Sequence, residues 1–325
     1  MEYSKPLKTI SKIIPTSGKH WVGDGFNVRP LFDNYAFTEA LSPFLMFDYA
    51  EPKMFPPTKK RLGVGQHPHR GFSTVTIAFQ GEVEHADSTG NTGVIAPGDV
   101  QWMDAGRGIV HQEFHSTKFA AEGGMFEMCQ IWTNLPKKDK MIKPKYQPIT
   151  TANIPKIYFN TKSNVCNVND NNNANDTSNN NDAIGFVRII AGEYKNNKGP
   201  AHTHSPIGMY DIEITKENQV FQYDIPTGWT TIVFNRGTKP LIIGDTSNDN
   251  NNTKKTTTIG PQAVAIMDTS NPTLRILGTE PNAKILLLTG EPLNEPIAHM
   301  GPFCMNTQQE LQQAIHDYQN GKMGR

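Results

Sequence analysis

The chain has 325 residues, with 31 basic and 31 acidic side chains and therefore no formal net charge at pH 7. This balance does not suit a protein that binds nucleic acid or an acidic membrane through a basic surface. No apolar run approaches the roughly 20 residues that a membrane helix needs. The length is sufficient for two domains, each with its own core.

The cysteines and the first residues bear on the compartment. Cys129, Cys166 and Cys304 are scattered and odd in number, which indicates reduced thiols rather than a disulfide framework. The segment Met1–Pro6 lacks the apolar stretch of a secretory signal. We therefore expect a soluble protein of the cytoplasm, the nucleus or both, which is not secreted and does not bind nucleic acid directly.

The first sixty residues combine short apolar runs with many prolines. Ile10–Ile14 and Val28–Phe32 have the composition of strands. Pro43–Tyr49 is a short apolar run, and we expect it to cover the histidine-rich segment that comes next. The prolines that follow, Pro52, Pro56 and Pro57, favour a loop.

The most informative stretch contains two pairs of metal-binding side chains about forty residues apart. One pair is His67 and His69, and the other is His111 and Glu113. Side chains at positions i and i+2 of a strand point to the same face. If the two strands lie side by side, three imidazoles and one carboxylate converge on one point, which predicts a site for a divalent transition metal.

The residues between the two pairs support strands. Phe72–Phe79 is rich in β-branched and aromatic residues, and it is followed by Gly81. Turns are predicted near Ser88–Asn91 and Pro97–Asp99. We therefore expect a β-meander with the candidate ligands at its start and its end.

The donor set narrows the choice of metal only in part. Four protein ligands tend to close a tetrahedral zinc site, whereas an octahedral ion would keep two positions for oxygen or substrate. Iron, copper, nickel, manganese and cobalt all suit imidazole and carboxylate donors, and the spacing does not choose among them.

The second half of the chain shows further short strands, two low-complexity stretches and one helix. Strand-like runs recur from Phe186 to Leu288, which is typical of a sandwich or barrel. The Asn-rich stretches 164–182 and 246–256 contain too few apolar residues to fold, and we expect disordered insertions there. The sequence Thr307-Gln-Gln-Glu310 is a capping box, which predicts a helix over residues 307–320.

Several long motifs resemble the pirin family. They are His-Pro-His-Arg-Gly-Phe (67–72), Gly-Glu-Val-Glu-His (81–85), Gly-Asp-Val-Gln-Trp-Met (98–103), Ala-Gly-Arg-Gly-Ile-Val-His (105–111), Trp-Thr-Asn-Leu-Pro (132–136) and Gly-Pro-Phe-Cys-Met-Asn-Thr (301–307). The resemblance covers nearly the whole chain apart from the Asn-rich stretches. Two positions depart from the family pattern: Ser73 stands where a Glu is usual, and Gln112 where a small residue is usual.

The resemblance implies an all-β bicupin, that is, two cupin-type β-barrels in tandem with a short C-terminal α-helix. We predict an N-terminal domain over residues 1–140 that holds the metal. The C-terminal domain would span 141–325 and include both insertions and the helix. The family's ligands fall on His67, His69, His111 and Glu113, and the implied cofactor is iron(II), with other divalent transition metals as alternatives.

The resemblance also implies two functions. One is an oxidation of the quercetin 2,3-dioxygenase type, in which a flavonol or a similar enediol reacts with O2. In it Glu113 either accepts the substrate's hydroxyl proton or serves only as a ligand. The alternative is a non-enzymatic transcription coregulator whose iron senses redox state and which binds nuclear transcription factors. We expect a monomer in either case.

Overall fold

The structure is a computed structural model that describes residues 5–14, 16–33, 39–160, 182–245 and 256–324. Strands dominate these residues, as predicted for an all-β protein. No helix in this described part of the chain is long and apolar enough to cross a membrane. The two Asn-rich stretches lie outside the described residues, except for Asp182 and Thr256 at their ends.

The strands are short and mostly antiparallel. The first twelve in chain order are β1 (Ile10–Ile14), β2 (His20–Val22), β3 (Phe26–Phe32), β4 (Phe44–Phe55), β5 (Gly63–His69), β6 (Phe72–Gln80), β7 (Val83–Asp87), β8 (Thr92–Ile95), β9 (Val100–Asp104), β10 (Ile109–His115), β11 (Gly124–Asn134) and β12 (Lys145–Ile149). The next are β13 (Lys156–Phe159), β14 (Gly185–Ala191), β15 (Glu193–Tyr194), β16 (Asn197–Lys198), β17 (Ile207–Ile214), β18 (Gln219–Asp224), β19 (Thr230–Asn235), β20 (Leu241–Gly244), β21 (Thr256–Ile259), β22 (Val264–Met267), β23 (Thr273–Gly278), β24 (Ala283–Gly290), β25 (Ala298–Met300) and β26 (Phe303–Met305).

Helical structure is sparse. The α-helices are α1 (Thr117–Glu122) and α2 (Gln308–Gln319), and short 3-10 turns occupy Glu39–Leu41, Lys137–Asp139 and Thr151–Asn153. The predicted C-terminal helix is confirmed as α2. Thr307 caps its first turn, and Glu310 returns a hydrogen bond to the Thr307 backbone, as the capping box requires.

The chain forms two compact units. The N-terminal barrel comprises Thr16–Asn153 and Leu293–Arg325, and the C-terminal barrel comprises Met1–Pro15 and Ile154–Pro292. In the N-terminal barrel a seven-stranded sheet runs β12-β9-β6-β11-β4-β3-β2, and a four-stranded sheet runs β5-β10-β7-β8. In the C-terminal barrel the corresponding orders are β1-β22-β19-β24-β17-β14-β13 and β18-β23-β20-β21. Both units therefore have the same seven-plus-four arrangement, which is the expected bicupin.

This division differs from the predicted boundary near residue 140, because both chain ends join the other unit. Strand β1 pairs antiparallel with β22 of the C-terminal barrel. At the other end, the Cys304 backbone N–H donates to the Arg70 carbonyl at 3.0 Å, which places this segment in the N-terminal barrel. Pairings between strands so far apart in the chain cannot be predicted from the local pattern of residues.

The two barrels differ in what fills them. The C-terminal barrel is filled by a continuous apolar core that includes Val187, Ile212, Val233 and Leu287. In the N-terminal barrel the apolar cluster is smaller, and it includes Phe26, Ala78 and Met128. The remaining interior of the N-terminal barrel holds polar side chains, and these form the candidate site.

Candidate metal centre

Three of the four predicted ligands lie together in the N-terminal barrel. Strand β10 pairs antiparallel with β5, and His111 is directly opposite His67. His69 follows two residues after His67 and points to the same face. One ring nitrogen from each of the three imidazoles lies within 4.8 Å of the others. The histidine spacing therefore corresponds to a real convergence of side chains from two strands.

Glu113, the fourth predicted ligand, is buried nearby but is held by other side chains. It lies opposite His85 of β7 and Val64 of β5, after a register shift in the β5–β10 pairing. Both carboxylate oxygens accept hydrogen bonds from Gln130 Nε2, at 3.1 and 3.0 Å. The carboxylate thus stands beside the histidines without belonging to the group of three.

Several buried ring nitrogens of the three histidines make no well-formed hydrogen bond with a described residue. His67 Nδ1 donates to the Gly65 carbonyl at 2.8 Å, which leaves Nε2 with a free lone pair. Neither ring nitrogen of His69 makes a well-formed hydrogen bond with a described residue, and neither does His111 Nε2. Buried polar nitrogens without partners are costly, so their grouping at one point fits a bound cation.

Burial favours the neutral form of His69 and His111. Burial is the main reason why the pKa of His69 lies well below its usual value; the neighbouring His67 also lowers it, and the Pro302 carbonyl opposes the shift. Burial likewise lowers the pKa of His111, with smaller effects from the other histidines. A neutral imidazole is the form that binds a metal, and the residues therefore fit a divalent ion.

His85 is a site residue that the sequence reasoning did not single out. Its Nδ1 accepts from Gln101 Nε2 at 2.8 Å, and it lies 3.4 Å from His111 Nδ1. The Asp87 carboxylate lies 3.5 Å from the other nitrogen, Nε2, and so favours a proton there. The Nδ1 edge of the His111 ring therefore faces His85, while His111 Nε2 has no hydrogen-bond partner among the described residues. His85 thus packs against the ring of a candidate ligand and restricts its orientation.

Gln130 of β11 is a second residue that was missed. Besides holding Glu113, its Oε1 accepts a hydrogen bond from Trp132 Nε1 at 3.3 Å. Trp132 in turn stacks on Phe72, with ring centroids 4.3 Å apart, and lies edge-on to His69. Polar and aromatic side chains thus lie side by side next to the histidine cluster. The only sequence signal was the alternation along Gly124–Trp132.

Arg70, which follows His69 directly, bonds to the C-terminal helix and not to Glu113. Arg70 Nη1 donates to Asp317 Oδ2 of α2 at 2.9 Å, and Nε donates to the Arg107 carbonyl at 2.6 Å. Arg70 is buried, so it is not a surface ion pair either. Arg70 therefore connects the loop that follows β5 to the C-terminal helix.

Gly71 allows the loop after the candidate ligands to pack closely against the backbone at Cys304. It has φ +85°, and a Cβ there would collide with the Cys304 carbonyl. The buried Lys140 Nζ donates to the Gly71 carbonyl at 2.8 Å and to the Cys304 carbonyl at 3.0 Å. Only glycine combines this conformation with this approach, so the turn after His69 is fixed on the C-terminal segment.

Ser73, the first departure from the family pattern, lies behind the ligands. Its hydroxyl donates to Asp104 Oδ1 at 2.7 Å, and both side chains are buried. It neighbours Thr74, whose side chain points to the opposite face of β6. Ser73 therefore supports the sheet rather than the pocket.

A second pair of histidines does not make another centre. His202 and His204 of the C-terminal barrel have ring centroids 5.3 Å apart. Across residues 5–14, 16–33, 39–160, 182–245 and 256–324, only His67, His69 and His111 form a group of three or more potential metal ligands. The candidate site is therefore confined to the N-terminal barrel.

Two cupin barrels, with a cluster of converging histidines in the first, define a bicupin with a candidate metal site. The family model described as "Pirin" matches residues 25–133, and the model described as "Pirin C-terminal cupin domain" matches residues 209–324. The chain belongs to the pirin family. The second match extends through α2, which the structure places in the N-terminal barrel.

Similar proteins cover almost the entire chain. A Pseudomonas aeruginosa protein named "Putative quercetin 2,3-dioxygenase" is 43% identical over 317 residues, which are 97% of this chain and 98% of that protein. Human pirin is 32% identical over 289 residues, with 87% of this chain and 83% of its own length covered.

Solved structures agree with the fold. The crystal structure of a quercetin 2,3-dioxygenase from Acinetobacter baumannii is 41% identical, covers 98% of this chain and 99% of its own, and superposes with a TM-score of 0.84. The bacterial pirin YhhW from Escherichia coli, in complex with nickel(II), is 18% identical and covers 85% of this chain and 95% of its own. Its TM-score is 0.54. This second similarity concerns the fold alone.

Proposed function

We propose that this protein is an iron(II)-dependent oxygenase of the quercetin 2,3-dioxygenase type, which oxidises a flavonol or a similar enediol with O2. The observation that carries the proposal is the grouping of three imidazoles, from His67, His69 and His111, whose candidate ligand nitrogens lie within 4.8 Å of one another. The relatives from P. aeruginosa and A. baumannii, at 43% and 41% identity, bear the name of this activity.

The ligand set would be His67, His69, His111 and Glu113. When bound, iron(II) supplies a Lewis acid for the substrate oxygen and an electron source for O2. Glu113 joins the set by keeping its hydrogen bond to Gln130, since a ligating carboxylate is usually held by such an outer partner. The same donors suit other divalent metals, including nickel, cobalt and manganese.

The pocket suits a flat, hydroxylated ligand. Phe72 and Trp132 stack at an interplanar angle of 27° and form an apolar wall beside His69. Gln130 and His67 are half-buried, so the polar side of the pocket is open to a ligand there. A small number of polar groups beside an aromatic wall is typical of small-molecule sites.

The further predicted role of Glu113, as acceptor of the substrate's hydroxyl proton, stays a prediction. Both of its oxygens already accept hydrogen bonds, from Gln130 and from Thr76 Oγ1 at 3.4 Å. A carboxylate oxygen has two lone pairs, and among the described residues Oε2 accepts only the bond from Gln130, so it keeps one lone pair for either a metal ion or a proton. With a metal bound there, that lone pair would be used by the metal, and Glu113 would have to leave the metal to accept the proton.

The test is oxygen consumption by iron-loaded protein with quercetin, with the ring-opened product and carbon monoxide identified chemically. We expect uptake by the wild type and none by His69→Ala, because the variant loses a central donor. Iron content is measured for both proteins. If the wild type retains stoichiometric iron and consumes no oxygen with quercetin or related enediols, the dioxygenase proposal is wrong, and the coregulator function becomes the alternative to pursue.

A further inference from the structure

A second carboxylate, from Asp48, lies on the same face of the sheet as the pocket. Asp48 is in β4, directly opposite Gln130 of β11. Gln130 is in turn opposite Thr76 of β6, which is opposite Gln101 of β9. Residues directly opposite one another share a face, with Cβ atoms about 5 Å apart. Asp48 therefore extends a row of polar side chains across the barrel interior.

The members of this row that contact the candidate ligands show which face it is. Gln130 and Thr76 both donate to Glu113, and Gln101 donates to His85. The pairing between β4 and β11 is regular on both sides of Asp48, from Ala50 to Met46. Asp48 consequently points into the same interior as Gln130.

Asp48 differs from the rest of the row in having no partner. No hydrogen bond or ion pair joins its carboxylate to another residue of the described chain, whereas Glu113 is held by two side chains. Asp48 is half-buried, as Gln130 and His67 are, while Thr76 and Gln101 are fully buried. Its carboxylate is thus available at the more accessible side of the pocket.

The environment of Asp48 adjusts its acidity. Burial raises its pKa to about 6, with the charge of His20 opposing the shift and that of Asp33 adding to it. Glu113 is a further acidic group of the interior, and it accepts a hydrogen bond from Gln130, which lies opposite Asp48. A carboxylate that gains and loses a proton near neutral pH suits general acid–base catalysis.

We propose that Asp48 is a catalytic residue that contacts the substrate and removes the hydroxyl proton of an enolic or phenolic ligand bound between Gln130 and the three histidines. The inference rests on the proposed function, whose substrates carry such a hydroxyl. The O–H bond of the ligand breaks, its electron pair remains on the ligand oxygen, and the proton forms a new O–H bond on Asp48. Glu113 then remains a ligand throughout.

The test uses iron-loaded full-length protein with Asp48→Asn, which retains the shape and removes the base. Asp48→Glu is the conservative variant. Glu127→Gln is the matched control, because Glu127 is a buried carboxylate on the opposite face of β11, held by Tyr49 Oη at 2.8 Å and Gln80 Nε2 at 2.9 Å. Iron content and thermal unfolding are measured for each variant, which separates loss of the site from loss of the base.

The two measurements are the rate of oxygen consumption and the absorption spectrum of bound quercetin. With oxygen, we expect Asp48→Asn to lower kcat by about 100-fold or more, and to remove the decline of the wild-type rate toward acidic pH. Asp48→Glu should restore part of both effects. Without oxygen, we expect the wild type at pH 6.5 to bind quercetin with the absorption spectrum of the anion, and Asp48→Asn to bind it with the spectrum of the neutral form. Glu127→Gln should match the wild type in both.

The outcomes separate the two proposals. If the wild type binds quercetin as the anion in an Asp48-dependent manner but consumes no oxygen, the dioxygenase proposal fails and the role of Asp48 stands. If the wild type consumes oxygen and Asp48→Asn keeps its rate and pH profile, the role of Asp48 is refuted and the dioxygenase stands. A wild type that neither binds nor oxidises quercetin contradicts both.

Discussion

Arg70 and Asp317 form an ion pair of 2.9 Å between the loop that follows the candidate ligands and the C-terminal helix α2. The Arg70 side chain is only 4% exposed and that of Asp317 15%. Burial opposes ionisation of Asp317, but the hydrogen bonds and charges of Arg70, Gln313 and Lys322 outweigh it and lower its pKa. The pair therefore connects residue 70, next to a ligand, with a helix almost 250 residues later.

We predict that Asp317→Asn destabilises the protein by about 3 kcal/mol at pH 7, because it leaves Arg70 as a buried charge without its counterion. The folded-state pKa of Asp317 is lowered, so this stabilisation is present above the unfolded pKa and is lost as the pH falls through the folded value. Thermal unfolding at pH 7 and near pH 3 measures both.

Lys322→Ala is the control for that prediction. Lys322 Nζ lies 3.9 Å from the same carboxylate but is well exposed, and such surface pairs contribute little. A decrease in Tm as large for Lys322→Ala as for Asp317→Asn would show that the burial of Arg70 is not the cause.

For His85 we predict an effect on metal affinity. His85→Phe keeps a flat ring to stack on Tyr146, whose ring lies 5.2 Å away, and removes the ring nitrogen that His111 Nδ1 contacts. The loss of a partner that orients a ligand weakens metal binding by about 10- to 100-fold. Competition with a chelator of known affinity for iron(II) gives the value.

His115→Phe is a matched comparison on the same strand. His115 lies in an aromatic cluster with Phe26, Phe55 and Phe126, and its Nε2 donates to the Gly25 carbonyl at 2.9 Å. Its loss should lower Tm without changing iron affinity. Equal affinities for wild type and His85→Phe would contradict the orienting role of His85.

Removal of the metal should destabilise the fold if the histidine cluster binds it. A ligand that binds only the folded state adds about 4 kcal/mol at a thousand times its Kd. We therefore expect a clear drop in Tm when chelator replaces iron(II), and no such drop in His69→Ala. His204→Ala, in the C-terminal barrel, should behave as the wild type does. A wild-type Tm that does not change with iron would contradict the proposed metal site.

Asp48 should make stability depend on pH. Its pKa is raised from 3.8 to about 6, so its contribution is fully present below pH 4 and is lost as the pH rises through 6. The ionised form costs at most about 3 kcal/mol, less because the group is partly exposed. In chelator-treated protein, Asp48→Asn should unfold at a higher temperature than the wild type at pH 8 and at the same temperature at pH 4. Equal Tm values at pH 8 would contradict this prediction.

The convergence of the histidines could be predicted, because it depends on a strand periodicity of two and on one pairing between β5 and β10. The helix α2 could also be predicted, because its capping box depends only on the neighbouring residues Thr307-Gln-Gln-Glu310. His85, Gln130 and Asp48 could not be found in this way. Each is a polar residue within a strand, and its role depends on which residue lies opposite, which the chain reveals only when the sheet is assembled.

Asp48 illustrates the difficulty. It lies in Pro43–Tyr49, an apolar run expected to cover the histidine-rich segment. The structure places all of this run except Pro43 in β4, between β3 and β11. The division of the chain by contacts differs from the predicted domain boundary for a similar reason, since the pairing of β1 with β22 spans some 250 residues of chain. The resemblance to a family predicted the bicupin fold, but it did not predict which residues lie opposite one another in the paired strands.

The exchange of chain ends has a consequence for synthesis on the ribosome. The N-terminal barrel includes Leu293–Arg325, so its last strands and α2 emerge only after the entire C-terminal barrel has been translated. Until then Arg70 has no counterion and the turn at Gly71 has no packing partner. A nascent chain halted anywhere before residue 293 would thus expose an unfinished barrel to chaperones and proteases, and a fragment ending at residue 140 would inherit the same defect.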